Sequence, residues 1–335
     1  MKMGESATPK TPLVTHIYTA DPSAHVFEGK LYIYPSHDVN LDVPDDKDGE
    51  QYQMEDYHVL SVDDVGAPVI DHGCALHVDD VPWAKGQMWA PDAAYKNGKY
   101  YLYFPAKDKQ GIFRIGAAVS DKPMGPFKAE PDYIPGTFSI DPAVFIDDDG
   151  KAYMYIGGIW GGQLEKWQTG VFNPDAPHQN PRGDSSDDEP AISFYVAEMN
   201  DDMLTLKEPL KESKILDENG KPLTVGDTDR RFFEAPWVHK YSGKYYLSYS
   251  TGDTHFLCYA ESDSPLGPFK YKGRILEPVK GWTTHQSIVE FKGKWYLFYH
   301  DAAISGISHQ RNAMFRELEI SEDGTIKTML PYDGE

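Results

Sequence analysis

Five times along this chain the pair Gly-Lys stands in one frame, with an extended apolar run before it and a tyrosine three residues after its glycine. The pairs are Gly29-Lys30, Gly98-Lys99, Gly150-Lys151, Gly243-Lys244 and Gly293-Lys294, and the tyrosines are Tyr32, Tyr101, Tyr153, Tyr246 and Tyr296. A sixth pair, Gly220-Lys221, is followed by Pro222 and lacks the tyrosine, as a chance turn dipeptide would. Each unit reads as strand, tight turn, strand. Ala24-His25-Val26-Phe27 leads into the first turn and Leu31-Tyr32-Ile33-Tyr34 leads out of it. Asn97-Gly98 and Asp149-Gly150 are dipeptides that supply the positive backbone torsions of hairpin turns. The aromatic and β-branched flanks suit a pleated, half-buried surface.

The glycines lie 69, 52, 93 and 50 residues apart. A four-stranded propeller blade takes roughly 40 to 50 residues, so each interval holds one blade plus loops. Outer strands are legible too, where Ile115–Asp121 runs to Gly125-Pro126-Phe127 and Leu257–Asp263 runs to Gly267-Pro268-Phe269. The reading is an all-β protein, a five-bladed β-propeller with antiparallel sheets around a channel. A β-sandwich is the competing fold, and it gives no reason for a five-fold repeat. One domain over residues 1–335, with its core at 13–330, is expected. The long interval contains Gln163–Pro190, rich in Pro, Asp, Ser and Gly, which reads as a loop, and Asp42–Gly49 reads as a smaller acidic loop.

Eight or nine residues before each glycine comes a matched position, occupied by Asp21, Ala90, Asp141, Glu234 and His285. The innermost strands of a propeller line its channel, so matched positions form a ring at one end. Three carboxylates on such a ring repel one another, raise each other's pKa and leave at least one protonated near neutrality. Glycoside hydrolysis needs such a set, with one acid to protonate the leaving oxygen and one carboxylate to activate water or attack the sugar. Metal binding by ring oxygens is the rival chemistry. Each residue also has a plainer reading: Asp21-Pro22 and Asp141-Pro142 as turn starters, His285 as a hydrogen-bonded core histidine.

At these positions the chain resembles glycoside hydrolase family 43, over about residues 13–330. The segments that carry the likeness are Ala20-Asp21-Pro22-Ser23, Met88-Trp89-Ala90-Pro91-Asp92, Ser139-Ile140-Asp141-Pro142, Phe233-Glu234-Ala235-Pro236 and Thr284-His285-Gln286-Ser287. The resemblance implies a five-bladed propeller that inverts configuration. It implies Asp21 as general base, Glu234 as general acid and Asp141 as the carboxylate that holds the acid and tunes its pKa. It implies His285 as a central histidine facing a water or a calcium ion in the channel, and Arg311 as the arginine that reaches the active site, although Arg316 lies close by. Trp89 abuts the uncharged ring position and either stacks on a sugar or simply packs. His37 and Asp38 resemble family sequence at the pocket border, with Asp38 reading sugar hydroxyls or serving as a loop acid.

The expected function is exo-acting release of terminal β-D-xylose, α-L-arabinofuranose or both from hemicellulose-derived oligosaccharides. The chemistry needs no cofactor, with calcium as a candidate occupant of the channel. An endo-arabinanase, a non-catalytic carbohydrate-binding propeller and a protein-interaction propeller are the alternatives. A net charge of −21 argues against nucleic acid and anionic membranes as partners. No run reaches transmembrane length. Two cysteines, Cys74 and Cys258, match no metal spacing and leave one disulfide open. Met1–Pro12 has no apolar leader core, so a cytoplasmic protein is expected, or a secreted one whose leader has been removed.

Overall fold

The computed structural model describes residues 11–39, 41–179, 186–282 and 284–331, with the backbone alone for 2–6. Five sheets follow one another along the chain and stand around one axis as a five-bladed β-propeller. Their innermost strands are Tyr18–Phe27, Asp92–Lys96, Ala143–Ile146, Glu234–Tyr241 and Ser287–Phe291. Each pairs antiparallel with the strand that follows its Gly-Lys turn. Glu28-Gly29, Asn97-Gly98, Ser242-Gly243 and Lys292-Gly293 have positive φ at both residues, the geometry that matches the twist of two-residue hairpins. Asp149-Gly150 differs from expectation, because only Gly150 is left-handed there. That turn is longer, closed by Gly150 N–H donating to Asp147 O at 2.9 Å.

The repeated tyrosine faces the residue four before its glycine in four units, Tyr32 with His25, Tyr101 with Ala94, Tyr246 with His239 and Tyr296 with Val289, and in the third, with its longer turn, Tyr153 faces Phe145, five before. All five tyrosines are buried, and each belongs to a different hydrophobic cluster between neighbouring blades. The sequence repeat is therefore a packing repeat. Every blade wedges one aromatic ring against its neighbour, and close-packed interfaces of this kind set the angle between sheets.

Ile115–Asp121 and Leu257–Asp263 fall where expected, in the third strands Phe113–Ser120 and Leu257–Ser262. The segment 163–190 carries no strand among its described residues, and 180–185 lie outside them. Two short 3-10 turns, Trp160–Gly162 just before it and Leu164–Trp167 at its start, lead into it. The buried Glu165 carboxylate pins them by accepting from the backbone N–H of Trp160 at 2.8 Å and of Gln179 at 3.2 Å. Cys74 and Cys258 are separate thiols. Among the described residues no helix is long and apolar enough to cross a membrane.

The ring is closed by its two ends. Leu13 N–H donates to Ala313 O at 2.8 Å, and Thr19 N–H donates to Arg311 O at 2.9 Å. The segment before the first blade thus lies along the Asn312–Leu318 strand of the last one. Polar side chains staple the hub. Asp92 accepts from Ser23 Oγ at 2.5 Å and from Val144 N at 2.6 Å, tying three blades together. Ser287 Oγ donates to Pro22 O at 2.6 Å, and Gln286 Nε2 donates to Ala235 O at 2.8 Å, tying the fifth blade to the first and fourth.

Candidate active site

The matched positions converge. Asp21, Ala90, Asp141, Glu234 and His285 line one small cavity at the hub, with Arg311, Trp89, Tyr52, Met54 and Ile140 as its remaining walls. Larger hollows exist, including one of about 500 Å³ bordered by Asp48, Lys85, Lys107 and Lys166, but that one holds none of the ring carboxylates.

Local backbone geometry aims these side chains. Asp21 and Asp141 have φ of 50° and 57°, and Ala235, next to Glu234, has 62°. Left-handed torsions are costly for residues with a Cβ and persist where the surroundings over-determine them. The strand register also slips, between Ala20 and Ser23 and between Glu234 and Trp237. Such bulges re-aim a side chain that regular alternation would send elsewhere.

The surroundings split the three carboxyl groups. Asp21 is buried, which by itself raises its pKa. The Arg311 guanidinium, 3.3 Å from Oδ1, His300 and His285 together outweigh burial, and Ser36 Oγ adds a hydrogen bond at 2.5 Å. The net effect lowers Asp21 to about 2. Glu234 moves the other way, to about 8, chiefly through burial and then through the negative charge of Asp21. Asp141 is also raised, by burial first and then by Glu234 and Asp21. Mutual repulsion thus acts on Asp141 and Glu234 as expected but not on Asp21, because cationic partners reverse its sign there. Asp141 Oδ2 accepts the backbone N–H of Ala235 at 2.9 Å, a direct hold on the residue beside Glu234.

Arg311, rather than Arg316, enters the cavity, since Arg316 donates to Leu330 O at the surface. Asp38 grips the Arg311 side chain with both oxygens, at 2.9 Å to Nε and 2.8 Å to Nη2, and the Tyr52 ring lies 4.8 Å under the guanidinium carbon. Asp38 is therefore spent on the arginine rather than on sugar hydroxyls, and it does not line the cavity. His37 is not brought to the cavity either. Its Nδ1 lies 2.6 Å from Asp56 Oδ1, on the opposite side of the Lys30–Asp38 strand, because adjacent strand residues face opposite ways. Trp89 is a wall. Its Nε1 donates to Tyr52 O at 2.9 Å, and its ring packs against Phe113 at 4.7 Å between centroids.

Sequence reasoning missed Ser36, His300 and Tyr52. Ser36 and His300 share a signal that could have found them, because each stands seven residues after its Gly-Lys glycine. Pro105, Gly157 and Ser250 hold the same place in the other blades, and their backbones bond to Trp89, Ile140 and Phe233. A second ring of matched positions thus flanks the first, and in blades one and five it supplies direct partners for Asp21. Tyr52 arrives on the loop after Asp42–Gly49, outside any repeat position, and nothing in the sequence marked it.

His285 Nδ1 lies 3.7 Å from Asp21 Oδ1 and 3.8 Å from Asp141 Oδ2. Burial, then Arg311, lowers its pKa against the pull of Asp21, so the imidazole is neutral at pH 7. A calcium ion takes six to eight oxygen ligands. This donor set offers one nitrogen and two carboxylates, so an ion there would draw most of its shell from water or sugar hydroxyls.

Residues 71–326 match the sequence model of glycosyl hydrolases family 43. The chain belongs to that family. Among family 43 relatives, Xylosidase/arabinosidase 43A of Humicola insolens is 59% identical over 324 residues, which span 96% of this chain and 99% of that one. A GH43 beta-xylosidase/alpha-arabinofuranosidase from a compost microbial metagenome, solved with xylotriose in a calcium-free form, superposes with a TM-score of 0.94 at 60% identity, covering 97% of this chain and 98% of that one. The GH43_1 enzyme from Xanthomonas citri, solved with xylotriose, gives a TM-score of 0.90 at 55% identity, covering 97% and 94%.

Proposed function

We propose that this family 43 enzyme is an exo-acting, inverting hydrolase that releases terminal β-D-xylose, α-L-arabinofuranose or both from hemicellulose-derived oligosaccharides. The observation that carries the reading is one hub cavity holding a carboxylate lowered to about 2 beside a carboxylic acid raised to about 8. At neutral pH the first is a base and the second still holds a proton, the division of labour that glycoside hydrolysis requires.

In this assignment Asp21 accepts a proton from a water as the water oxygen attacks the anomeric carbon. Glu234 gives its proton to the glycosidic oxygen as that bond breaks. The sugar leaves with inverted configuration, and a proton passed through solvent from Asp21 to Glu234 resets the pair. Asp141 fixes the backbone beside Glu234 through the Ala235 N–H, and the charge of Asp21 helps keep the acid protonated. Arg311, clamped by Asp38, holds Asp21 ionised and faces the cavity, where it can also donate to a sugar hydroxyl. The cavity that Trp89, Tyr52, Ile140 and Met54 wall is small, about 40 Å³, which supports exo rather than endo action. Calcium, where bound, would sit against His285 and add positive charge near Asp21 and Asp141.

The deciding experiment is hydrolysis of nitrophenyl β-D-xyloside and nitrophenyl α-L-arabinofuranoside, with the product anomer followed by NMR. Release of α-xylose as the first product from the β-xyloside is expected, and xylotriose should yield free xylose from its first turnovers. Initial β-xylose would overturn the base role of Asp21. Binding without hydrolysis of either substrate would leave only the carbohydrate-binding alternative.

A further inference from the structure

Turned away from the catalytic cavity, the first blade carries a second cluster of functional side chains that hydrolysis does not use. His37 projects from the Lys30–Asp38 strand, Asp56 and His58 from one face of Asp56–Val62, and Asp71 and Cys74 from Pro68–His77. The ligating atoms of His37, Asp56 and His58 all lie within 4.8 Å of one another. Asp56 stands between the imidazoles, with Oδ1 2.6 Å from His37 Nδ1 and Oδ2 3.5 Å from His58 Nε2. The other nitrogen of His58 is held at 2.9 Å by Asp71 Oδ1, and Asp71 Oδ2 lies 2.7 Å from His16 Nε2. Cys74 faces His58 across the strand pair, and its thiol reaches Asp56.

We propose that His37, Asp56 and His58 form a divalent transition-metal site of the zinc class, with Asp71 orienting His58 and the Cys74 thiol beside the open coordination position. Three observations carry it. Two imidazoles, a carboxylate and a neighbouring thiol suit zinc, cobalt or nickel, and they are a poor set for calcium or magnesium. Zinc bonds of about 2.0–2.2 Å in a tetrahedron place neighbouring donors roughly 3.3 Å apart, so donors that all lie within 4.8 Å of one another need only small side-chain adjustments to close on an ion. The Asp71–His58 contact is the carboxylate–imidazole pairing that fixes a metal-binding histidine in one ring orientation. The three donor side chains are 15–20% exposed, enough for an ion to enter from solvent.

The site is separate from His285, and the test uses that separation. Untagged protein, stripped with chelator and returned to buffer, is titrated with zinc chloride by calorimetry and with cobalt(II) by visible absorption. One equivalent of zinc should bind, and cobalt should give the strong d–d bands of a four-coordinate ion. His58→Gln and His37→Gln should each weaken zinc binding at least tenfold, whereas His285→Ala should retain it. If either histidine variant does not fold, the other is decisive. The cobalt spectrum of the wild type gives a further reading, because a six-coordinate spectrum would overturn the site. Absence of stoichiometric zinc, or zinc lost in His285→Ala but kept in His58→Gln, would overturn it as well.

Discussion

Glu234 concentrates the chemistry and its cost in one side chain. Its carboxyl is raised from 4.5 to about 8, so the folded protein binds that proton more tightly than the unfolded chain does. The stability it contributes is fully present below 4.5 and is lost as pH rises through about 8. Glu234→Gln should therefore melt higher than wild type at pH 8 to 9 in a thermal scan while losing turnover by roughly 10² to 10⁴-fold. The loss should be larger on xylobiose than on a nitrophenyl glycoside, whose leaving group needs less protonation. Asp21 has the opposite sign. Lowered from 3.8 to about 2, it contributes stability above 3.8 that disappears as pH falls towards 2. Together the two shifts predict a kcat/KM profile flat through neutrality with an alkaline limb near 8, read directly from initial rates against pH. Asp38→Ala leaves Arg311 buried beside Asp21 without its bidentate partner. Breaking such a pair costs about 3–5 kcal/mol, so the melting temperature should drop and kcat/KM should fall through a less basic or misplaced Asp21.

Elements position these residues through close backbone approach. Gly252 begins the turn after the Lys244–Ser250 strand at φ +66°, and a Cβ there would stand 2.1 Å from Phe233 Cγ. Phe233 immediately precedes Glu234 and packs against Trp160, just ahead of the long inserted segment, at 5.2 Å between centroids. Gly252→Ala should thus strain the turn and push the acid off its aim. The expectation is a lower melting temperature together with at least a tenfold fall in kcat, measured on the nitrophenyl substrates. An unchanged kcat would show that Phe233 yields without moving Glu234.

For the whole molecule the decisive event is closure. Asp21 and Arg311 meet only because the segment from Leu13 to Thr19 lies along the final strand. Leu13 is 1% exposed in the cluster that joins the fifth blade to the first. Leu13→Asp would bury an unpaired charge there and cost about 3 kcal/mol or more. Thermal unfolding should shift down, and activity should fall with it even though no cavity residue has changed. Retained stability would mean that the ring closes by other contacts.

The sequence by itself determined the repeat and most of what hangs from it. The Gly-Lys-x-Tyr frame specified five hairpins because local turn geometry and one buried ring per blade are encoded within a few residues of each glycine. The matched position before each glycine then placed Asp21, Asp141, Glu234 and His285 together, since rotational pseudo-symmetry turns equal sequence offsets into one ring. Strand alternation already held the separation of His37 from Asp38, as neighbours on a strand cannot both face the channel. Only the tertiary structure decided which carboxyl group is held ionised and which is pushed upward. That sign depends on long-range burial and on charges brought in by other elements: Arg311 and His300 from the last blade pull Asp21 down, whereas burial and the charge of Asp21 raise Glu234 against the pull of Arg311. Electrostatic fields in a buried cavity are set by three-dimensional distance, and no local spacing in the chain encodes it.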